Sequence, residues 1–322
     1  MSQATAPHLP QEPAVAAMLG ALVADAAALG LHWIYDQPRV GEIADRRGTA
    51  AFIPVRKAHF EGVKGFFAHG ARARGMSSQY GECLRLAMRV MDAQNNVFDM
   101  PAYQAAFAGH FGMGGAYVGY IDRPTRETVA NILAEKLTPS GTDDNQLPAL
   151  ATLPAVVGVL HGQSAMDAAV DDAVSVTHTD AGTLAYCKMF AGLLEDVLDG
   201  TKVPVALRRA ADGASGDMGD LLRAALGSSE TDSVRYGETT GLTCYLHEGL
   251  PLAFHIMNNA TDFADAVERN IRAGGDSCGR AIAIGAVMGA QAGVVGLPFP
   301  WVNLLDGNAK LFAQARRLTA EG

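Results

Sequence analysis

Apolar positions recur at helical spacing along most of the chain, and no run of segments alternates apolar with polar, so the pattern predicts helices, with any strands short and peripheral. Ala14 to Leu31 reads as a first helix rich in Ala and Leu, with Asp25 its only charge; it stops in His32-Trp33-Ile34-Tyr35-Asp36. A second helix runs from about Ser78 to Asn95, with Leu84, Ala87, Met88 and Met91 on one face. Met100 to Tyr120, broken by glycines, and Arg126 to Leu137 continue the pattern. So do Leu147 to Leu160, Ala165 to Val176, Gly182 to Leu198, Val203 to Ala211, Asp217 to Leu226, Leu250 to Asn258 and Asp262 to Arg272. Between the first two helices, Gln37 to Met76 lacks any period and is rich in Gly, Arg, Phe and His, which predicts a long loop of the functional kind.

The segment that organises the rest is the turn Gly274-Gly275-Asp276-Ser277-Cys278-Gly279-Arg280 and the run Ala281 to Leu297. That run has no polar face, so a helix made of it is buried on all sides. Gly285, Gly289 and Gly293 recur every fourth residue and let a neighbouring helix approach closely. Asp276 and Ser277 are in place to cap this helix; equally, a turn-bound carboxylate beside a helix N-terminus is placed where an anion or a metal could be held. The run is shorter than the ~20 residues of a spanning helix and is dominated by small residues, so it reads as a core helix and no membrane contact is expected.

Composition narrows the function. The hydrophobic share is 49% and the charged share 18%, an ordinary core-forming balance, and no Pro, Ser or charge run divides residues 12–322, which are expected to form one domain behind a loose tail, 1–11. A net charge of −9 and basic clusters no larger than Arg72-Ala73-Arg74 exclude a nucleic-acid backbone binder. Four scattered cysteines make neither a zinc pattern nor a disulfide framework, and the N-terminus carries no secretion signal, so a cytoplasmic protein is expected.

Two polar features stand apart from the helical pattern. Asp25, inside an apolar helix, needs a partner if buried and could anchor a loop from elsewhere. Thr142-Asp143-Asp144-Asn145-Gln146 precedes an apolar helix; its carboxylates could be caps with a solvated neighbour or acceptors for a sugar or base.

In chain order these features are Gly20 to Ala26 with Asp25 near the end, Tyr80-Gly81-Glu82, Asp144-Asn145-Gln146-Leu147-Pro148, Thr177-His178, and Gly274-Gly275-Asp276 with its Gly-rich helix. Together they resemble the ADP-ribosylglycohydrolase superfamily, all-helical hydrolases that remove ADP-ribose from arginine or serine, of which dinitrogenase reductase-activating glycohydrolase is a member. The resemblance spans Ala14 to Leu305. The wording His-Trp-x-Tyr-Asp and Tyr-Gly-Glu is similar to the branch of the jellyfish J-type crystallins. It implies an all-α fold, a compact orthogonal helical bundle around the central Gly/Ala-rich helix.

Active members of that family hold two magnesium ions through a Thr-Asp-Asp-Thr motif and an Asp-x-Asp-Thr motif. Here the matching positions are Tyr80-Gly81-Glu82-Cys83 and Asp276-Ser277-Cys278-Gly279, so Glu82 and Asp276 are the metal-ligand candidates that remain. Two carboxylates are too few for a paired site, and Cys278 is a soft substitute; at most one magnesium ion is expected, and no cofactor is required. The family run that carries a carboxylate implicated in catalysis places His32 at that position, and a His can move a proton near neutral pH without metal; as a plain loop imidazole it would pack on Trp33.

The resemblance therefore implies a hydrolase of an N- or O-glycosidic bond to ADP-ribose or a related ribosyl sugar. Glu82 and Asp276 would face each other across one cleft, one stabilising charge on the ribose while the other, or His32, activates water. Asp143, Asp144 and Asn145 would bind sugar hydroxyls, Trp33, Tyr35 and Tyr80 would line the pocket, and His178 and Cys278 would lie beside the substrate. The partner is a small-molecule or ADP-ribosylated substrate. The other reading is a catalytically inactive ligand-binding or structural member, like a crystallin.

Overall fold

The computed structural model describes residues 12–320; the expected tail, 1–11, lies outside them. Sixteen α-helices make up the described chain, and its only β features are isolated bridges, Ile34 with Gly65, Thr142 with His178 and Gln146 with Tyr245. The all-α expectation holds.

Two helices form the centre: α1 (Pro13–Ala28) and α14 (Ser277–Ala292). Every residue of α1 from Val15 onward is buried, as is every residue of α14 from Ser277 to Ala290, which is why neither carries a polar face. They approach until backbones touch: a Cβ on Gly20 would strike the Gly285 carbonyl, one on Gly285 the Gly20 carbonyl, and one on Gly289 the Ala16 carbonyl. Gly293, the third of the expected series, does a different job and ends α14 with φ 66°.

Around this pair pack α3 (Gln79–Ala93), α6 (Leu153–Leu160), α8 (Ala181–Leu198), α12 (Leu246–Asn259), α13 (Phe263–Ala273) and α16 (Asn308–Leu318). One apolar cluster runs from Val15 to Leu318 through all of them. The remaining helices are α2 (Gln37–Arg47), α4 (Met100–Phe111), α5 (Arg123–Leu133), α7 (Met166–Ser175), α9 (Val203–Gly213), α10 (Gly216–Leu226), α11 (Ser233–Thr240) and α15 (Phe299–Leu304).

The structure corrects the reading of Gln37 to Met76 as one loop. Its first part is α2, capped by the Asp36 carboxylate on the Arg39 N–H and closed by Gly48 at φ 73°. A short turn of 3₁₀ helix, Lys57–Phe60, follows, and the irregular stretches are 49–56 before it and 61–78 after it. α11, α15 and α16 fall where no helix is expected from the sequence pattern.

Asp25 has the partner its burial demands. Its carboxylate accepts the Ser78 N–H at 2.9 Å and the Ser78 hydroxyl, and Ser78 is the N-cap of α3. A buried carboxyl group inside the central helix thus fixes where α3 begins, and with it Tyr80 and Glu82.

Candidate active site

The Gly274-Gly275 turn is built for rigidity. Both glycines have positive φ, 78° and 64°, and a Cβ on Gly275 would strike the Leu242 carbonyl. Arg280, wholly buried, donates to the Asn270 side-chain oxygen at 2.9 Å and to the Gly274 carbonyl at 2.5 Å, while Asn270 donates back to the Ser277 carbonyl at 2.8 Å. The turn also pairs with the end of the first helical segment: the Trp33 N–H reaches the Gly275 carbonyl at 2.8 Å, and the Gly275 N–H the Ile34 carbonyl at 2.7 Å. Trp33 itself sits at φ 66°, a left-handed conformation unusual for so bulky a residue and typical of functional sites.

These contacts bring Asp276 and His32 together. His32 Nε2 is 2.8 Å from Asp276 Oδ1, the Gly279 N–H donates to the same oxygen at 2.8 Å, and the Tyr80 hydroxyl donates to Oδ2 at 2.9 Å. Asp276 is therefore both the helix cap and the hub of a buried polar cluster. Burial pushes its carboxyl up, but the His32 hydrogen bond and charge, the Gly279 N–H and Arg280 outweigh it, and the group is held below the usual carboxylate range. An ionised Asp276 accepts only, so His32 Nε2 donates to it, and His32 Nδ1 lies 2.6 Å from His69 Nε2. His69 Nδ1 is left buried with no partner. Burial, then His32 and Arg72, hold His69 well below the usual imidazole range, so it is neutral.

Glu82 has a separate set of partners. The Arg72 guanidinium donates to Oε1 at 2.6 Å and His110 Nε2 lies 3.1 Å from Oε2. Burial raises this carboxyl, but the His110 hydrogen bond and the charges of Arg72 and Arg85 prevail and lower it. Among the described residues Glu82 and Asp276 share no hydrogen-bond partner. Instead a single turn spans both groups: His69 meets His32 and Arg72 meets Glu82, with the Arg72 N–H on the His69 carbonyl at 2.9 Å.

The third expected element, the Asp143-Asp144-Asn145 turn, is tied to the start of α3 through α5. The Asp122 N–H donates to the Gln79 side chain at 2.6 Å, and the adjacent Arg123 donates to Asp144 at 2.5 Å. Asp144 is buried, and burial raises its carboxyl despite Arg123 and Gln146. His178 Nε2 stands 3.7 Å from Asp144 and has no hydrogen-bond partner; burial pushes that imidazole down to about 3. Asp143 and Asn145 are exposed. Tyr35 is half-buried, and Cys278 is fully buried with its thiol facing the Asp25 carbonyl at 3.6 Å.

An aromatic cover closes over His32. Its ring lies 4.4 Å from Trp33, which meets Tyr120 at 5.1 Å and Phe66 at 5.7 Å, and Phe66 remains 53% exposed at the surface. The side chains of His32 and Asp276 are wholly covered. Beside the turn, Tyr35, Gln37, Lys64, Leu242 and Glu248 line an open depression of about 530 Å³.

His69, Arg72 and His110 are missed by sequence reasoning: they lie outside every motif, and it is the folding of 61–78 back over α3 that brings in His69 and Arg72, and the packing of α4 on α3 that brings in His110. The one available hint was the His and Arg content of that stretch.

The fold and this turn define a class. The ADP-ribosylglycohydrolase family profile matches residues 6–322, and the chain belongs to that family, whose function is of the glycohydrolase type. It is 26% identical to crystallin J1A of Tripedalia cystophora, over 96% of this chain and 97% of that protein, and 26% identical to crystallin J1B of the same animal, over 91% and 92%. A solved structure described as an ADP-ribosylglycohydrolase-related protein complex superimposes with a TM-score of 0.68 over 96% of this chain and 97% of that one, at 17% identity, a likeness of fold.

The residues present do not fit the family's paired magnesium ions. All four carboxylate oxygens of Glu82 and Asp276 already take hydrogen bonds, from Arg72, His110, His32, Gly279 and Tyr80. Among the described residues no three His, Cys, Asp or Glu side chains are grouped to hold a metal ion. A divalent cation at Glu82 would also meet the charges of Arg72 and Arg85.

Proposed function

We propose that the chain hydrolyses an N- or O-glycosidic bond to ADP-ribose or a related ribosyl sugar, using its own carboxylate and imidazoles. The observation that carries this reading is the hydrogen-bonded series Asp276–His32–His69, anchored in the rigid turn and ending on an unpaired ring nitrogen. His69 Nδ1 accepts a proton from the attacking water, and the series spreads the resulting charge toward Asp276. Hydroxide adds to the anomeric carbon as the bond to the aglycone breaks; the leaving atom takes a proton from solvent water, and His69 gives its proton back to solvent. Asp276 supplies the negative charge that favours the oxocarbenium-like transition state, while Glu82, paired with Arg72 and within hydrogen-bond distance of His110, positions rather than reacts. For a sugar to reach this series the Trp33, Phe66 and Tyr120 cover has to part. Four free cysteines suit the reducing cytoplasm in which we place the chain.

Release of free ADP-ribose from modified arginine and serine peptides tests the reading. His32→Gln and Asp276→Asn, the latter retaining a capping side chain, are each expected to lower kcat by at least about a hundredfold with the fold intact. Unchanged rates in both would overturn it.

The inactive, crystallin-like role is favoured by one observation: His32 and Asp276 are closed off from solvent. That role predicts no turnover of any ribosyl substrate even where a nucleotide sugar binds.

A further inference from the structure

In the family, the two motif carboxylates face divalent cations; here the same two positions face side chains delivered by one short turn. We infer that Arg72 is a resident replacement for a divalent cation at Glu82, so that the chain takes up no magnesium as built and gains a metal site when the guanidinium is removed. This goes beyond the proposed hydrolysis and holds whether or not the chain turns over substrate.

Three features carry the inference. The Arg72 guanidinium is built in rather than swinging at the surface. Its side chain is 6% exposed and Glu82's 12%; its Nε donates to the Ser77 carbonyl at 2.9 Å, its terminal nitrogen holds Glu82 at 2.6 Å, and its guanidinium carbon lies 4.9 Å from the centroid of the Tyr117 ring. The far side of Glu82 is occupied by His110, which packs edge-on against Phe111 at 4.8 Å, so the carboxylate cannot rotate toward a second ligand without breaking a buried contact. The same turn sends His69 to His32, so one backbone element supplies both carboxylates, Glu82 directly and Asp276 through His32. A fixed guanidinium offers directional donors to a carboxylate and needs no ion from solution.

Removing the guanidinium frees Glu82 Oε1 and the Ser77 carbonyl oxygen while His110 stays on Oε2, and oxygen donors of this kind are the type that accepts Mn²⁺. Manganese binding followed by electron paramagnetic resonance reads this without substrate. The wild-type chain is expected to leave Mn²⁺ free, with a melting temperature equal in EDTA and in millimolar Mg²⁺. Arg72→Ala is expected to bind Mn²⁺ at least about tenfold more tightly than wild type, and the added Glu82→Gln exchange to abolish that gain. Should Arg72→Ala not fold, Arg72→Met, which fills the same space without a donor, takes its place. Stoichiometric Mn²⁺ or Mg²⁺ uptake by the wild-type chain, lost in Glu82→Gln, would overturn the inference, as would folded Arg72 variants with no metal affinity above wild type. Metal-free wild-type protein that releases no ADP-ribose would contradict the proposed hydrolysis and leave this assignment standing.

Discussion

Single residues set the site's charge state, and Asp25 shows how. Burial lifts its carboxyl to about 7 against the Ser78 hydrogen bonds, so the folded chain keeps a proton there that the unfolded chain gives up near pH 4. The stabilisation this provides is complete below the unfolded value and is lost as pH rises to about 7, after which it stays level. Urea unfolding of wild type and Asp25→Asn, compared across this range, is expected to show wild type losing about 4 kcal/mol relative to the variant, with a flat difference at higher pH. A difference independent of pH would refute the assignment. At Glu82 the lowered carboxyl works in the opposite sense, its contribution present above the ordinary carboxylate range and lost in acid. Arg72→Met alone is expected to cost about 3 kcal/mol or more in thermal or denaturant unfolding, because it strands a buried carboxylate, while Arg72→Met with Glu82→Met recovers most of that. Equal stabilities for the single and double exchange would contradict the buried-pair account. Of these residues, Asp25 and Asp276 were legible in the sequence: each is a lone carboxylate where helix chemistry makes it conspicuous. Arg72, His69 and His110 were not, since their roles come from long-range contacts that no local spacing encodes.

At the scale of elements, the molecule depends on the close approach of α1 and α14. Gly20→Ala and Gly285→Ala each place a methyl group against backbone on the facing helix, where no flexible side chain can give way. Each is expected to destabilise by about 1–3 kcal/mol or more, whereas Gly192→Ala, on α8 with open space around it, should be stabilising by about 0.5–1 kcal/mol. Melting temperatures of the three variants check the contrast. The buried glycine helix was readable because an apolar run without a polar face has one physical meaning. α2 escaped notice because its polar, Arg-rich surface hides its period, although Asp36, Pro38 and Gly48 are ordinary start and stop signals. α16 also went unread, although it buries Leu311, Ala315 and Leu318 at helical spacing, whereas α11 and α15 are too short to show a period.

The whole molecule brings the two groups together by a long route. Asp25 on the first helix fixes the start of α3, Arg280 on α14 fixes the turn before it, and the 61–78 segment closes across both. No described helix is long and apolar enough to cross a membrane. The fold is that of the family, and all four carboxylate oxygens of Glu82 and Asp276 are already taken by protein donors. The most direct test is ADP-ribose release from modified peptides by the purified chain in excess EDTA and again in magnesium. The account predicts equal release in both, abolished by His32→Gln; release that appears only with magnesium would contradict it.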